Sequence, residues 1–231
     1  ALGFAVGDIH GRADLLEKML DRLEAQAAAS PHLKPVVIFL GDYVDRGMHS
    51  ARVIDLLLSG RPHGFERHFL RGNHEQAMQA FLRDPDQGRA WLAYGGVETL
   101  LSYRVQPESV EAAAPALEAA AQALEEALPA AHKEFLDALV PAVTIGDYFF
   151  VHAGVDPDRG IDEQAEHDLY WIRQRFLTDT RRWDKIVVHG HSPVKEAFRD
   201  HRRIAIYTGA YATGRLTAAR LEANHVAFIS D

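Results

Sequence analysis

Short apolar runs alternate along the chain with stretches in which apolar residues recur every three or four positions. Ala5-Val6 reads as the end of a buried strand running into Gly7-Asp8. From Asp14 to Gln26 the residues Leu15, Leu16, Met19, Leu20 and Leu23 fall on one helical face, and Asp14 with Glu17 has the spacing of a capping box. Val36 to Leu40, bounded by Pro35 and Gly41, suits a buried strand. Ser50 stands where a cap is expected for a helix carrying Val53, Ile54, Leu57 and Leu58, which Gly60 ends. Glu66 to Leu70 is a third strand, and a helix follows from about Glu75 to Arg83.

Strand then helix at short intervals predicts βαβ units. The second half reads differently. Val143 to Ile145 and Tyr148 to Val151 flank Gly146-Asp147 as in a β-hairpin. Lys185 to Val188, Arg203 to Tyr207, Arg215 to Leu221 and His225 to Ile229 are further strands, the last three read as antiparallel. The expected architecture is α/β, with mixed sheets and flanking helices. Between Glu111 and Ala131 alanine supplies about half the residues, and Leu117, Ala121, Leu124 and Leu128 make a narrow stripe. This stretch reads as a helical insertion over about 107–140 within a single domain spanning 1–231. An amphipathic helix lying on the core is the plainer reading of it, and a lid near the site the sharper one.

Composition then narrows the classes. A length of 231 residues fits one domain with a sizeable core, and 47% hydrophobic with 25% charged residues is ordinary for a soluble protein. The net charge of −8 argues against a nucleic-acid partner. No cysteine is present, which excludes disulfides, thiolate metal sites and a cysteine nucleophile. No run is long enough to span a bilayer and no signal peptide is visible, so a cytoplasmic monomer is the expectation.

Five short motifs fall at or near strand ends, where α/β folds place ligands. They are Gly7-Asp8-Ile9-His10-Gly11, Gly41-Asp42-Tyr43-Val44-Asp45-Arg46-Gly47, Gly72-Asn73-His74-Glu75, His152-Ala153-Gly154 and Gly190-His191-Ser192. Aspartate oxygens and histidine nitrogens ligate Mn, Fe, Zn and similar cations. Asp8 and His10, two apart on an extended strand end, can reach one ion. Asp42 has two oxygens with which to bridge two ions, and Asn73, His152 and His191 can complete a second site. Two such ions hold a hydroxide between them, ready for in-line attack on phosphorus.

Singly these motifs are weak; together and in this order they resemble the phosphoprotein phosphatase family of the calcineurin-like metallophosphoesterase superfamily, in its bacterial and phage-type form. The resemblance runs from Gly7 to about Ser192. It implies a metallophosphoesterase fold, two mixed β-sheets packed as a sandwich flanked by helices. It implies two divalent metal ions, Mn2+ foremost with Fe or Zn as alternatives, on Asp8 and His10, bridging Asp42, and Asn73, His152 and His191. It makes His74 the general acid, hydrogen-bonded to Asp45, with Arg46 gripping the phosphoryl oxygens. Trp171-Ile172-Arg173 matches a phage-type pattern and names Arg173 as a second phosphate-binding arginine, and Tyr211 is expected to face the substrate.

The expected activity is hydrolysis of phosphoserine and phosphothreonine in a phosphoprotein or phosphopeptide, with phosphotyrosine and small phosphate esters also open. A dinucleoside tetraphosphate hydrolase is the first alternative. Such enzymes lack an aspartate at the position of Asp45 and carry aspartate where Glu75 stands, so both residues favour the phosphatase branch. Pro193 stands where diesterases carry a further histidine, and intact motifs argue against a mere binding module. Two positions depart from the family: Met48 replaces a usual proline, and Tyr207 replaces an aspartate before Thr208-Gly209-Ala210.

Overall fold

The computed structural model describes residues 2–86, 88–107 and 113–230. In chain order they form β1 (Leu2–Val6), α1 (Ala13–Ala28), β2 (Pro35–Phe39), α2 (Ser50–Leu58), β3 (Glu66–Phe69), α3 (Asn73–Arg83), α4 (Arg89–Trp91), a π-helical turn (Leu92–Gly96) and α5 (Val97–Ser102). Then come α6 (Ala114–Ala127), α7 (Ala130–Asp137), β4 (Ala142–Ile145), β5 (Tyr148–Val151), α8 (Glu166–Trp171), α9 (Gln174–Thr178), β6 (Ile186–His189), β7 (Phe198–Arg199), β8 (Arg203–Ala205), α10 (Ala210–Thr213), β9 (Thr217–Glu222) and β10 (His225–Ser230).

The strands make two five-stranded mixed sheets, ordered β10-β9-β1-β2-β3 and β4-β5-β6-β8-β7. Period-two alternation explains how they stack. In β1 and β2, Leu2, Phe4, Val6, Val37 and Phe39 pack with the helices, while Ala5, Val36 and Ile38 meet Phe150, Val188 and Ile204 of the other sheet. Both faces of these strands are therefore buried, which is why they read as unbroken apolar runs. The outer face of the second sheet packs Phe149, Val151 and Val187 against Leu169, Tyr170 and Phe176.

Several expectations are corrected. β8 pairs parallel with β6 and antiparallel only with the short β7, because residues 190–202 supply a long enough crossover. β9 is antiparallel to β1 and β10, as read. No capping box forms at α1; Asp14 is taken instead by Arg12, at 2.6 and 2.8 Å. Ser50 does not cap α2 but lies within it, accepting the Asp45 N–H at 3.1 Å. The alanine-rich stripe lies on the core: Leu117, Ala121, Leu124 and Leu128 are buried with the α1 and α2 leucines, and α6 packs against α3. Residues 108–112 of the expected insertion lie outside the described residues.

Candidate active site

The five motifs sit just beyond the C-terminal ends of β1, β2, β3, β5 and β6, so strand direction alone brings them together. Their backbones are bent hard. His10 (φ 47°), Asp42 (51°), Asp45 (74°), Arg46 (67°) and His191 (57°) all adopt the left-handed conformation that side-chain-bearing residues avoid. Each costs about 1–3 kcal/mol, and such strain persists only where surrounding contacts enforce it. One enforcing contact is loop on loop: the Gly47 N–H donates to the His10 carbonyl at 3.1 Å, and a Cβ on Gly11 would stand 2.3 Å from the Gly47 carbonyl. Another is Glu75. Its buried carboxylate accepts the N–H groups of Asp42 (2.9 Å), Tyr43 (2.7 Å), Val44 (3.2 Å) and Gly72 (2.9 Å), pinning the Asp42 loop to the start of α3.

The donor atoms demand a positive charge. His10 Nδ1 donates to the Val44 carbonyl at 3.0 Å, which leaves Nε2 unprotonated. That buried Nε2 has no hydrogen-bond partner among the described residues, and it faces Asp42 Oδ2 at 3.5 Å, lone pair to carboxylate. His152 Nδ1 donates to Leu40 at 2.8 Å, so its Nε2 is turned on two further acceptors, Asn73 Oδ1 at 2.9 Å and Asp42 Oδ2 at 3.4 Å. His191 Nδ1 lies 2.8 Å from the same Asn73 oxygen. Ligands ~2.1 Å from one ion lie about 3 Å apart, so these spacings are those of a coordination shell. Acceptors this close repel unless a metal cation or a proton stands between them; the residues fit divalent metals.

Protonation tells the same story. Burial holds His10 down at about 3, and burial with the neighbouring His152 holds His191 at about 2, so both imidazoles are neutral, as a metal ligand must be. Burial also opposes a charge on His152, but Asp42 outweighs it and lifts the imidazole to about 9. Burial likewise pushes Asp8 up to about 7. His10, Asp42 and His74 offer donor atoms within 4.8 Å of one another, and so do Asp42, His152 and His191. Asp8 is in neither group; both its oxygens accept the His191 N–H, at 3.0 and 3.2 Å. Asp42 belongs to both groups, as a bridge must.

Beside these groups stands a histidine paired with a carboxylate. His74 Nδ1 meets Asp45 Oδ2 at 2.6 Å, and that carboxylate also accepts Trp91 Nε1–H (2.7 Å) and Thr99 Oγ1–H (2.6 Å). Burial disfavours charge on His74, yet Asp42 and Asp45 raise its pKa above the ordinary imidazole value. Trp91 and Thr99 carry no local sequence signal, since they reach Asp45 from the distant α4 and α5. His189, two residues before His191, is a core residue: its ring meets Phe176 edge-on at 5.0 Å, and Nδ1 lies 3.1 Å from the Gly190 carbonyl.

Arg46 and Arg173 line both of two clefts that meet at the site. One, of about 560 Å³, runs from His74 and Asn73 past Trp91, Tyr94 and Trp171. The other, of about 470 Å³, holds His191, Tyr207 and Tyr211. Met48 is half exposed and displaces no ligand. The structure thus gathers Asp8, His10, Asp42, Asn73, His152, His191, His74, Asp45, Arg46, Arg173 and Tyr211 into one region, from seven separate segments of chain.

Comparison with known proteins agrees. The chain belongs to the calcineurin-like phosphoesterase family, whose model matches residues 4–228, and it is accordingly a phosphoester hydrolase. It is 27% identical over 93% of its length, and 88% of the relative's, to a protein from Halalkalibacterium halodurans named bis(5'-nucleosyl)-tetraphosphatase PrpE [asymmetrical]. It is 50% identical over 30% of its length, and 16% of the relative's, to the Candida albicans serine/threonine-protein phosphatase PP2A-like PPG1. A solved structure described as a candidate diadenosine tetraphosphatase superposes with a TM-score of 0.65 at 19% identity, over 99% of this chain and 93% of the other. Among the described residues no helix is long and apolar enough to cross a membrane.

Proposed function

We propose that this protein hydrolyses phosphomonoesters with poor leaving groups, foremost phosphoserine and phosphothreonine in proteins, with His74 as the general acid. The Asp45–His74 pair carries the reading. A serine or threonine oxygen leaves as an alkoxide of an acid about as weak as water (pKa ~15.7) and needs a proton as its bond breaks. A nucleotide phosphate, whose second pKa is about 6, leaves without one. The chain buries Asp45 against the His74 imidazole and holds that carboxylate with Trp91 and Thr99, so the imidazole keeps its proton to higher pH than a free one. That arrangement serves an alcohol.

Two divalent cations, Mn2+ foremost with Fe or Zn as alternatives, would be held by Asp8, His10 and Asp42 on one side and by Asp42, Asn73, His152 and His191 on the other. Bound there, they supply positive charge for the phosphoryl oxygens and acidify water. Arg46 and Arg173 grip the phosphoryl oxygens, for which the planar guanidinium fork is suited. His74 Nε2 delivers the proton to the leaving oxygen while Asp45 holds Nδ1 and fixes the ring. Tyr211 closes one wall around the ester.

A second reading, hydrolysis of a dinucleoside tetraphosphate, is favoured by the full-length relative of that name. It gains from the position of Glu75, which is buried in the backbone cradle and lines neither cleft. Glu75 therefore reaches substrate in neither cleft; Asp45 lines neither cleft as well, and its bearing on the leaving group runs through its bond to His74.

Leaving-group dependence separates the readings. Wild type and Asp45→Asn are compared on a phosphothreonine peptide, p-nitrophenyl phosphate and diadenosine tetraphosphate. The variant is expected to lose about 10²-fold in kcat on the peptide and less than about tenfold on the other two. Equal losses on all three, or a wild-type kcat/KM that favours the dinucleotide, would overturn the phosphoprotein reading and install the second.

A further inference from the structure

We propose that Tyr207 is a positioning residue which aims the Arg46 guanidinium at the phosphoryl site through an uncharged hydrogen bond. The inference rests on the reading that Arg46 binds phosphate. Arg46 is a long side chain on a backbone already forced to a φ of 67°, and its N–H is spent on the Gly95 carbonyl at 3.1 Å. Its head is fixed from two sides and stands next to the proton donor. Nη1 donates to the Tyr207 hydroxyl at 3.0 Å. The Tyr211 ring lies under the guanidinium, 4.6 Å from Cζ to ring centroid. Nη2 lies 3.3 Å from His74 Nε2. The arginine is thus held beside the proton donor, where the leaving oxygen and the phosphoryl oxygens must both sit.

The chemistry of the acceptor matters. Tyr207 is buried, just past β8, with its ring 5.8 Å from that of His10. A carboxylate at this place would form an ion pair with Arg46 and cancel its charge before substrate arrives. It would also add a third negative group close to Asp8 and Asp42. A phenol oxygen accepts the same N–H and leaves the positive charge free for the phosphoryl group. The aromatic pair of Tyr207 and Tyr211 therefore orients Arg46 without neutralising it.

The test is a double-mutant cycle in the full-length, Mn2+-loaded protein, using Arg46→Ala, Tyr207→Phe and the double variant. Binding of inorganic phosphate is measured by calorimetry, and KM and kcat on the phosphothreonine peptide beside it, with metal content determined for each protein. Tyr207→Phe is expected to weaken phosphate binding about 5- to 20-fold and raise KM alike, with kcat within about threefold of wild type and metal content unchanged. In the Arg46→Ala background the same change should alter phosphate binding less than about twofold. An equal loss in both backgrounds, wild-type affinity in Tyr207→Phe, or loss of metal from it would overturn the proposal. Tyr207→Asp should bind phosphate more weakly than Tyr207→Phe; parity between them would overturn the part played by the missing charge. If Arg46→Ala itself keeps wild-type phosphate affinity, the reading beneath the proposal falls with it, and that result is distinct from the others.

Discussion

Single residues here are tuned by what surrounds them more than by what they are. His74 and His10 are both buried imidazoles with rings 4.7 Å apart, yet burial with few compensating contacts holds His10 neutral, while Asp42 and Asp45 raise His74. The consequence is a pH dependence of definite sign. A donor whose pKa is raised keeps its proton to higher pH than a free imidazole does, so kcat on an alkyl phosphate holds up to the raised pKa and falls beyond it. Asp45→Asn removes one of the two carboxylates that raise it, and the alkaline limb of the kcat profile should move to lower pH. A limb that stays in place would show that another group sets it. The contact of Asp45 with His74 is legible from the family resemblance of the Asp42 to Gly47 motif. Its support by Trp91 and Thr99 is not, because long-range hydrogen bonds leave no periodic trace.

At the scale of elements, the sequence reads best where burial imposes a period. The strands and helices flanking the site were legible from alternation and from the leucine faces of α1 and α2. Strand pairing was not: nothing in Arg203–Ala205 states whether its neighbour runs parallel, since that depends on how residues 190–202 cross over. Caps failed for a related reason. Ser50 had a better use, satisfying the strained Asp45 N–H, than capping its own helix. Glu75 shows the same competition. Its place three residues into α3 marks a capping position, but its carboxylate binds four N–H groups, three of them from the Asp42 loop. Glu75→Gln turns one acceptor into a donor facing buried N–H groups and should cost about 1–3 kcal/mol in urea unfolding. Glu75→Asp is one methylene too short to reach all four. It should destabilise comparably while leaving the ratio of peptide to dinucleotide kcat/KM within about threefold of wild type. A ratio that moved toward the dinucleotide would make Glu75 a reader of substrate after all.

For the whole molecule, metal and fold are one equilibrium. The two sheets meet at a place where carboxylates and imidazole lone pairs are buried face to face, and without a cation the fold must recruit protons to that place. His152 shows the sign. Its ordinary pKa of 6.5 rises to about 9 in the folded chain, so the folded state takes up a proton that the unfolded chain does not hold between those values. The stability this contributes is complete below pH 6.5 and is lost as pH rises through 9. Asp8, raised from 3.8 to about 7, acts in the same direction at lower pH. Chelator-treated protein should therefore melt at progressively lower temperature from pH 6.5 to 9. Metal ions replace the protons and bind better as the ligands lose them. Mn2+-loaded protein should show a flatter profile, with metal adding about 2.7 kcal/mol at one hundred times its Kd. The gap between the two melting curves should widen with pH. Parallel curves, or a chelated protein that gains stability toward pH 9, would mean that the buried acceptors are not where the cations bind, and that the bridge at Asp42 is misplaced.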